Sequence, residues 1–132
     1  MQAFAVASAI AEARSGARID GVIVAGDFNL IVTEQPLVTV QRKTELSGPP
    51  LTLINALQLD GRSNQTWFNP NIPIAPGHLD YMMYSARTLH LDRAFVFDSR
   101  DLSERWLRHY ELSEDISIAT SDHFPIVADF SW

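Results

Sequence analysis

The chain has 132 residues, of which 46% are hydrophobic and 20% charged, a composition typical of one soluble globular domain with a modest core. Its formal net charge of -6 provides no general attraction to nucleic acid or to an anionic membrane surface. A phosphate-bearing ligand would need a local positive charge, which a divalent cation held by carboxylates supplies. The absence of cysteine excludes a disulfide scaffold, thiolate metal sites and a cysteine nucleophile.

The N-terminal stretch is apolar, but its pattern favours a helix over a signal peptide. No basic residue precedes the apolar stretch, and Glu12 and Arg14 follow it within about three helical turns. No stretch approaches the roughly 18 apolar residues that a membrane-spanning helix needs. We therefore expect neither a signal peptide nor a transmembrane segment in this chain, and a cytoplasmic location by default.

The first third of the sequence predicts a helix followed by a central strand. Residues 2–14 place apolar side chains at helical spacing, and a Ser-Gly pair ends the helix. Residues 22–25 are a mostly β-branched run that is too short for a buried helix and typical of a strand covered on both faces. Asp27 and Asn29 follow the carboxyl end of that strand, where α/β folds commonly place ligand groups.

The middle of the chain alternates loops with short apolar segments. Residues 33–50 are rich in Pro, Ser and Gly and predict a loop with at most a brief helix or strand. Residues 51–59 are consistent with a helix that ends at a turn. Two strand candidates follow, at residues 65–68 and 79–84, with a proline-containing loop between them. The second of these apolar runs contains an aspartate, Asp80, whose presence there requires a reason.

The last third predicts two strands on either side of a helix. Residues 89–97 indicate a strand with a bulge or bend near Asp92. Residues 99–112 are apolar on one face and predict a helix, with an N-cap supplied by the aspartate before it or by its own first serine. Residues 124–130 predict a terminal strand. No repeat or linker divides the chain.

Three polar clusters lie at predicted strand ends: Asp27 with Asn29, Asp80, and Asp122 with His123. Strand ends in a sandwich converge on one rim, so the three clusters are expected to meet. Hydrolysis of a phosphate ester needs a hard cation with oxygen ligands, a group that activates water, and donors for the charge that develops on phosphate. The clusters contain a candidate for each of these roles.

Each cluster also has a purely structural explanation. The first is accounted for by a turn, because Asp and Asn are favoured in turns. The third is accounted for by a solvated residue at a strand start followed by a hydrogen-bonded edge histidine. Asp80 has His78 and Arg87 as alternative structural partners. The joint occurrence of all three clusters favours the functional interpretation.

These residues resemble the motifs of the endonuclease/exonuclease/phosphatase superfamily, which includes deoxyribonuclease I, abasic-site endonucleases, sphingomyelinases and inositol polyphosphate phosphatases. The matching motifs, in chain order, are Gly26-Asp27-Phe28-Asn29, Leu79-Asp80-Tyr81 and Ser121-Asp122-His123-Phe124-Pro125-Ile126-Val127. Their order, spacing and strand context together make the match specific. The resemblance implies an α/β (α+β) fold, namely the C-terminal half of a four-layered α/β/β/α sandwich like that of deoxyribonuclease I.

The resemblance also implies a role for each matching residue in metal-dependent hydrolysis of phosphomonoesters or phosphodiesters. Asp27 matches an aspartate that orients or deprotonates the attacking water or assists at the metal, and Asn29 an asparagine that donates its amide to the phosphate. His123 matches a histidine that hydrogen-bonds a phosphate oxygen or acts as a base, and Asp80 the carboxylate that holds that imidazole. Asp122 matches a carboxylate that, with Asp27, lies close to the divalent cation, Mg²⁺ or Mn²⁺.

The resemblance covers nearly the whole chain but only the C-terminal half of the family's domain, so residues 1–132 are expected to be a single partial domain. The metal-binding glutamate of the first half has no counterpart here, and we expect a truncated form that is weakly active or inactive. A single sheet would also leave Leu79, Tyr81 and Met83 on an exposed apolar face that drives homodimer formation. The alternative function is a non-catalytic interaction domain that self-associates through this face.

The sequence restricts the substrate only weakly. His78 is close enough to the second motif to contact a substrate, whereas Trp67 and Phe68 either line the substrate rim or belong to the core. The negative net charge and the lack of a basic stripe favour a small or lipid phosphate ester, or a nuclease with shallow contacts, over a processive DNA-binding enzyme.

Overall fold

A computed structural model describes residues 2–16, 18–43 and 49–132. Its elements, in chain order, are α1 (Gln2–Gly16), β1 (Ile23–Asp27), α2 (Gln35–Lys43), β2 (Thr52–Leu53), β3 (Leu57–Gln58), β4 (Asp80–Tyr84), β5 (His90–Val96), a 3₁₀ helix (Ser99–Asp101), α3 (Glu104–His109), α4 (Ile116–Thr120) and β6 (Ile126–Ser131). Helices and short strands are thus mixed along the chain.

The described strands form two three-stranded sheets. The first sheet has the order β1-β4-β2 and is antiparallel throughout. The second has the order β3-β5-β6, in which β5 pairs antiparallel with β6 and parallel with β3. β4 and β5 are therefore the central strands.

The two faces of β4 contribute to two different cores, because side chains alternate between the faces of a strand. Tyr81 and Met83 pack with α1 and α2, whereas Met82 and Tyr84 pack against the second sheet. The buried residues of the first core are Val22, Leu37, Val40, Leu51 and Met83. Those of the second core are Ile54, Ala56, Tyr84, Val96 and Phe124. The layers therefore run helices, first sheet, second sheet.

The predicted exposed face of a single sheet is wrong. Met83 is fully buried, and Leu79 and Tyr81 are partly buried. Helices cover one side of the first sheet and the second sheet covers the other, so this surface is not available to a second chain. Self-association of the protein stays a prediction, but this face no longer supports it.

The first strand also differs from its predicted position. Residues 22–25 were predicted to form a central strand covered on both faces, but β1 lies at an edge of its sheet in the described part of the chain. Ile23 is about half exposed as a result. A β-branched run favours the extended backbone of an edge strand as much as that of a central one, which is why sequence pattern did not distinguish them.

The predicted helix at residues 51–59 is wrong as well. This segment contains β2 and β3 and passes from the first sheet to the second. The amide of Ile54 donates to the carbonyl of Met82 (2.9 Å) and that of Gln58 to the carbonyl of Ser63 (2.7 Å), so its backbone bonds are made with other segments instead of within a helix. Pairing with neighbouring strands overrides the local helical pattern here.

The predicted helix at residues 99–112 is divided into the 3₁₀ helix and α3. Leu102 and Ser103 between them have extended backbones. Ser99 is buried, and its backbone and hydroxyl bond with Ser117 of α4, a helix that the sequence did not predict. The predicted capping role of Asp98 is confirmed for the 3₁₀ helix, since its side chain accepts from the amide of Arg100.

Three other predictions are confirmed. The first helix covers residues 2–14 and continues to Gly16. β5 has the expected irregularity, a register shift against β6 between Leu91 and Arg93. The terminal strand is present as β6. None of the helices in the described residues combines the length and apolar character that a membrane span needs.

Candidate active site

Two carboxylates meet where β1 ends and β4 begins. Asp27 is the last residue of β1 and Asp80 the first of β4, and the antiparallel register places them directly opposite each other. Directly opposed residues have Cβ atoms about 5 Å apart, which is a repulsive arrangement for two like charges. The amide of Phe28 continues the pairing by donating to the carbonyl of Leu79 (2.9 Å). Strand pairing therefore fixes both carboxylates at one end of the sheet.

His123 joins these carboxylates from the segment that precedes β6. Its Nδ1 lies 2.8 Å from Oδ2 of Asp80, and its residue forms a β-bridge with Trp67. The hydrogen bond to Asp80 is the main cause that raises the pKa of His123 above its ordinary value of 6.5, and the charges of Asp80, Asp27 and Asp122 add to it while burial opposes it. With Nδ1 held by the carboxylate, Nε2 is the ring nitrogen available to a ligand.

Asp27 and Asn29 form a local turn as well as part of the site. The backbone amide of Asn29 donates to Oδ1 of Asp27 (2.8 Å), and its side-chain Nδ2 donates to Oδ2 (2.6 Å). Asn29 has a positive φ of 48°, a left-handed conformation that Asn tolerates better than most residues. The turn and the site interpretations are therefore compatible. One amide hydrogen of Nδ2 remains for another acceptor, because the group carries two.

Asp122 has a different environment from the other site carboxylates. Its Oδ2 accepts from Nε1 of Trp67 (3.2 Å) and lies 3.5 Å from Nδ2 of Asn69. In the described part of the chain, the ligand atoms that lie within 4.8 Å of one another come from Asp27, Asp80 and His123. Asp122 acts on this group through its charge on His123. Its role as a metal ligand stays a prediction.

His78 lies beside the cluster without belonging to it. Its Nδ1 is 3.3 Å from Nδ2 of Asn64, and its ring stacks on Tyr81 with centroids 4.2 Å apart. Burial is the main cause that lowers the pKa of His78 below 6.5. Asp80 makes its side-chain hydrogen bond with His123, whereas His78, one of its predicted structural partners, interacts with the backbone and the charge of Asp80 and lies beside Asn64.

Thr66 positions the site and was not identified from the sequence. It is fully buried, and its hydroxyl accepts from the amides of Leu79 (3.0 Å) and Asp80 (2.9 Å). Its carbonyl accepts from the amide of Phe124 (2.7 Å). One residue thus connects the start of β4 to the segment that carries His123. The available signal was a small polar residue within an aromatic strand candidate, but its partners lie too far along the chain to be inferred.

The side chains of the cluster fit a divalent cation. Mg²⁺ is commonly held by one or two carboxylates together with water and substrate oxygens, a set that Asp27 and Asp80 can supply. The group formed by Asp27, Asp80 and His123 contains two carboxylates and one imidazole. A single imidazole cannot balance two carboxylates, so a bound cation would relieve the repulsion between them.

Comparisons with known proteins place the chain in a family. The model of the endonuclease/exonuclease/phosphatase family matches residues 2–123. Neither the curated proteins nor the solved structures contain a significant match to this chain. The mixed α/β architecture with two sheets agrees with a deoxyribonuclease I-like domain. Because the family model covers most of the chain and includes the strand-end residues described above, the chain belongs to the endonuclease/exonuclease/phosphatase family.

Proposed function

We propose that the protein is a weakly active, divalent-cation-dependent phosphoesterase that uses an activated water to hydrolyse phosphomonoester or phosphodiester bonds. The observation that carries this proposal is the convergence of Asp27, Asp80 and His123, with ligand atoms within 4.8 Å, at one end of the first sheet. These residues come from distant parts of the chain. Their convergence supplies a water-binding carboxylate and a supported histidine in one place.

His123 would donate a hydrogen bond to a phosphate oxygen. The hydrogen bond to Asp80 raises the pKa of His123 and so shifts its equilibrium toward the protonated imidazole, and a protonated ring donates from Nε2 while Asp80 accepts from Nδ1. This form also places a positive charge beside the charge that develops on phosphate in the transition state. We therefore assign His123 a donor role over that of a general base.

Asp27 and Asn29 would act on the attacking water and on the phosphate. Asp27 is exposed, so water reaches its carboxylate, and it would orient the attacking water and receive its proton. Asn29 would donate the second hydrogen of its side-chain amide to phosphate while the first holds Asp27 in place. Their mutual hydrogen bonds restrict both side chains before substrate binds, which reduces the entropy lost on binding.

We assign the cation site to Asp27 and Asp80, with Mg²⁺ or Mn²⁺ as the ion. A bound cation supplies electrophilic assistance at phosphate and lowers the pKa of water. Asp122 would act on this site indirectly, because its carboxylate accepts a hydrogen bond from the indole of Trp67 and adds negative charge beside His123. The substrate would be an organic phosphate ester.

The proposal is tested by measuring release of p-nitrophenol from bis(p-nitrophenyl) phosphate and from p-nitrophenyl phosphate, with Mg²⁺, with Mn²⁺ and with a chelator. We expect cation-dependent turnover that falls about 10²-fold to 10³-fold in His123→Ala, because loss of one hydrogen-bond donor to the charge that develops in the transition state has effects of this size. His90→Ala is the matched control, since this histidine is exposed on β5 and lies near Asp92.

Absence of turnover under all cation conditions would contradict the proposal. Turnover that survives chelation, or an equal loss of activity in both histidine variants, would contradict it as well. The chelation result tests the cation, and the comparison of His123→Ala with His90→Ala tests the residue assignment.

A further inference from the structure

An open cleft of about 500 Å³ lies beside the proposed catalytic residues. Asp27, Asn29 and His123 border it on one side. Most of its remaining wall is apolar and comes from two loops and from the indole of Trp67. Its apolar residues include Leu30, Ile31, Ile74 and Ala75. The cleft is therefore lined both by polar side chains of the proposed site and by apolar side chains.

Both loops are connected directly to the site. The first loop continues from Asn29, whose carbonyl accepts from the amide of Ile31 (3.0 Å). The second ends at Gly77, whose amide donates to the carbonyl of Trp67 (3.0 Å) and whose carbonyl accepts from the amides of Trp67 (3.0 Å) and Thr66 (2.9 Å). The apolar wall is therefore held at a fixed place relative to His123.

Two isoleucines in this wall are unusually open to solvent. Ile31 is 82% exposed and Ile74 is 60% exposed. A single exposed apolar residue requires no explanation, but two that line one concave surface next to a reactive site form an apolar binding surface. Neither side chain contributes to the buried cores, so both are available to a ligand.

The cleft is lined by few ionisable groups. Among the described residues that line it, none is Lys or Arg, and the ionisable ones are Asp27, His78 and His123. A polyanion such as a nucleic acid strand carries a charge on every nucleotide and would need further cationic partners along the cleft. An uncharged organic group needs none and gains from contact with the isoleucines.

We propose that this cleft binds the apolar organic group of a phosphate ester, an alkyl or aryl group of several carbons, while the phosphate lies at Asn29 and His123. The inference rests on the proposed function, because the phosphate end is the proposed catalytic site. It narrows the substrate to esters in which a hydrophobic group lies next to phosphate. Ile31 and Ile74 would determine this specificity without taking part in the chemistry.

The proposal is tested by calorimetric binding of methyl, butyl, octyl and phenyl phosphate in the presence of Mg²⁺, at concentrations below micelle formation. Full burial of a methylene group strengthens binding by about fourfold, and the cleft is open, so we expect a gain of about tenfold or more from methyl to octyl phosphate. Phenyl phosphate separates an aryl preference from an alkyl one. Thymidine 5′-monophosphate, which has a polar nucleoside group, should bind no more tightly than methyl phosphate.

The double variant Ile31→Ser/Ile74→Ser should lose most of the dependence on chain length and keep the affinity for methyl phosphate. Its matched control is Val32→Ser/Ile72→Ser, which changes two exposed apolar neighbours in the same loops that do not line the cleft. All four residues are exposed, so folding is expected to be preserved, and circular dichroism verifies it.

Equal affinity for all chain lengths would overturn the proposal. An equal loss of chain-length dependence in the control variant, or tighter binding of thymidine 5′-monophosphate than of octyl phosphate, would overturn it too. These measurements do not require turnover. Chain-length dependence without hydrolysis would therefore refute the proposed function and leave the cleft assignment standing, and hydrolysis without chain-length dependence would do the reverse.

Discussion

The negative charge of the carboxylates is balanced differently in two regions of the molecule. At the strand ends, Asp80 holds the imidazole of His123 and Asp27 lies beside both, and all three side chains are at least partly open to solvent. In the 3₁₀ helix region, Asp98 is almost fully buried and pairs with Arg100 through bonds of 2.6 to 3.1 Å. One group lacks a permanent positive charge and the other has one.

The surroundings of Arg100 show how the second group is stabilised. Its guanidinium carbon lies 5.1 Å from the ring centre of Phe68 and 5.6 Å from that of Phe124, so aromatic faces add to the ion pair. Arginine stays charged at all ordinary pH values, whereas histidine changes charge near neutrality. The comparison indicates that Asp98 serves the fold, while the incomplete compensation at Asp27 and Asp80 leaves room for a cation.

Removal of the permanently charged guanidinium of Arg100 should have the largest effect on stability. Arg100→Ala leaves the buried carboxylate of Asp98 without its charged partner and with the backbone amide of residue 100 as the remaining donor from that residue, and we expect a loss of about 3 to 5 kcal/mol in the free energy of unfolding. The matched control is Arg93→Ala, because Arg93 forms a 2.9 Å pair with Asp129 in which both side chains are mostly exposed. That variant should lose less than about 1 kcal/mol. Urea unfolding measures both, and similar losses in the two variants would contradict the contrast.

The hydroxyl of Thr66 connects its segment to the start of β4. Its removal should have the next-largest effect on stability. Thr66→Val should cost about 2 kcal/mol or more in the free energy of unfolding, because the buried amides of Leu79 and Asp80 lose their acceptor. Thr66→Ser retains the hydroxyl and separates this loss from that of the methyl group. Urea unfolding of the two variants gives the result, and an equal loss in both would assign the effect to packing.

At the strand-end group, the support of His123 should matter more to catalysis than to stability. Asp80→Asn is expected to lower the rate of cation-dependent hydrolysis about 10-fold to 100-fold, because the imidazole loses the carboxylate that orients it and one cation ligand is weakened. Asp92→Asn is the control, since Asp92 lies near an exposed histidine, His90. Steady-state rates on p-nitrophenyl substrates measure the difference. A rate in Asp80→Asn equal to that of the control would show that the pair is structural.

The smallest expected effect is a pH dependence of stability at His123. Because its folded-state pKa is raised above 6.5, the stabilisation from its pair with Asp80 is fully present below that pH and is lost as the pH rises through the folded-state pKa. Thermal unfolding with a chelator present should therefore show a larger difference between the protein and His123→Gln at about pH 6 than at about pH 9. A difference that grows with pH would contradict the raised pKa.

Sequence pattern identified the site residues because they lie at strand ends. The residues that are close in space, Asp27, Asp80 and His123, were each adjacent to an apolar run that did form a strand. The role of Thr66 could not be predicted from the sequence, because it consists of hydrogen bonds to residues 13 and 14 positions away. Local motifs thus indicated which groups the fold brings together, while the group that fixes their geometry depends on tertiary contacts.

The same distinction explains which elements of the fold were predictable. α1 and β5 follow local periodicity, and even the irregularity of β5 is visible in the break of its alternation. The segment at residues 51–59 has an apolar pattern that is compatible with a helix, but its backbone pairs with two different sheets. Neither its strands nor the edge position of β1 could be derived without the partners that pair with them.

The edge position of β1 has a consequence for motion at the site. In the described residues β1 pairs with β4 alone, so one row of its amides has no strand to protect it, whereas β4 is paired on both sides. Local opening requires less free energy where fewer backbone hydrogen bonds must break. Amide hydrogens should therefore exchange with solvent faster along β1 than along β4. Asp27 therefore lies on the strand that opens more easily, and Asp80 on the strand that is held on both sides. The separation of the two carboxylates is free to adjust to an ion or a substrate while His123 keeps its place.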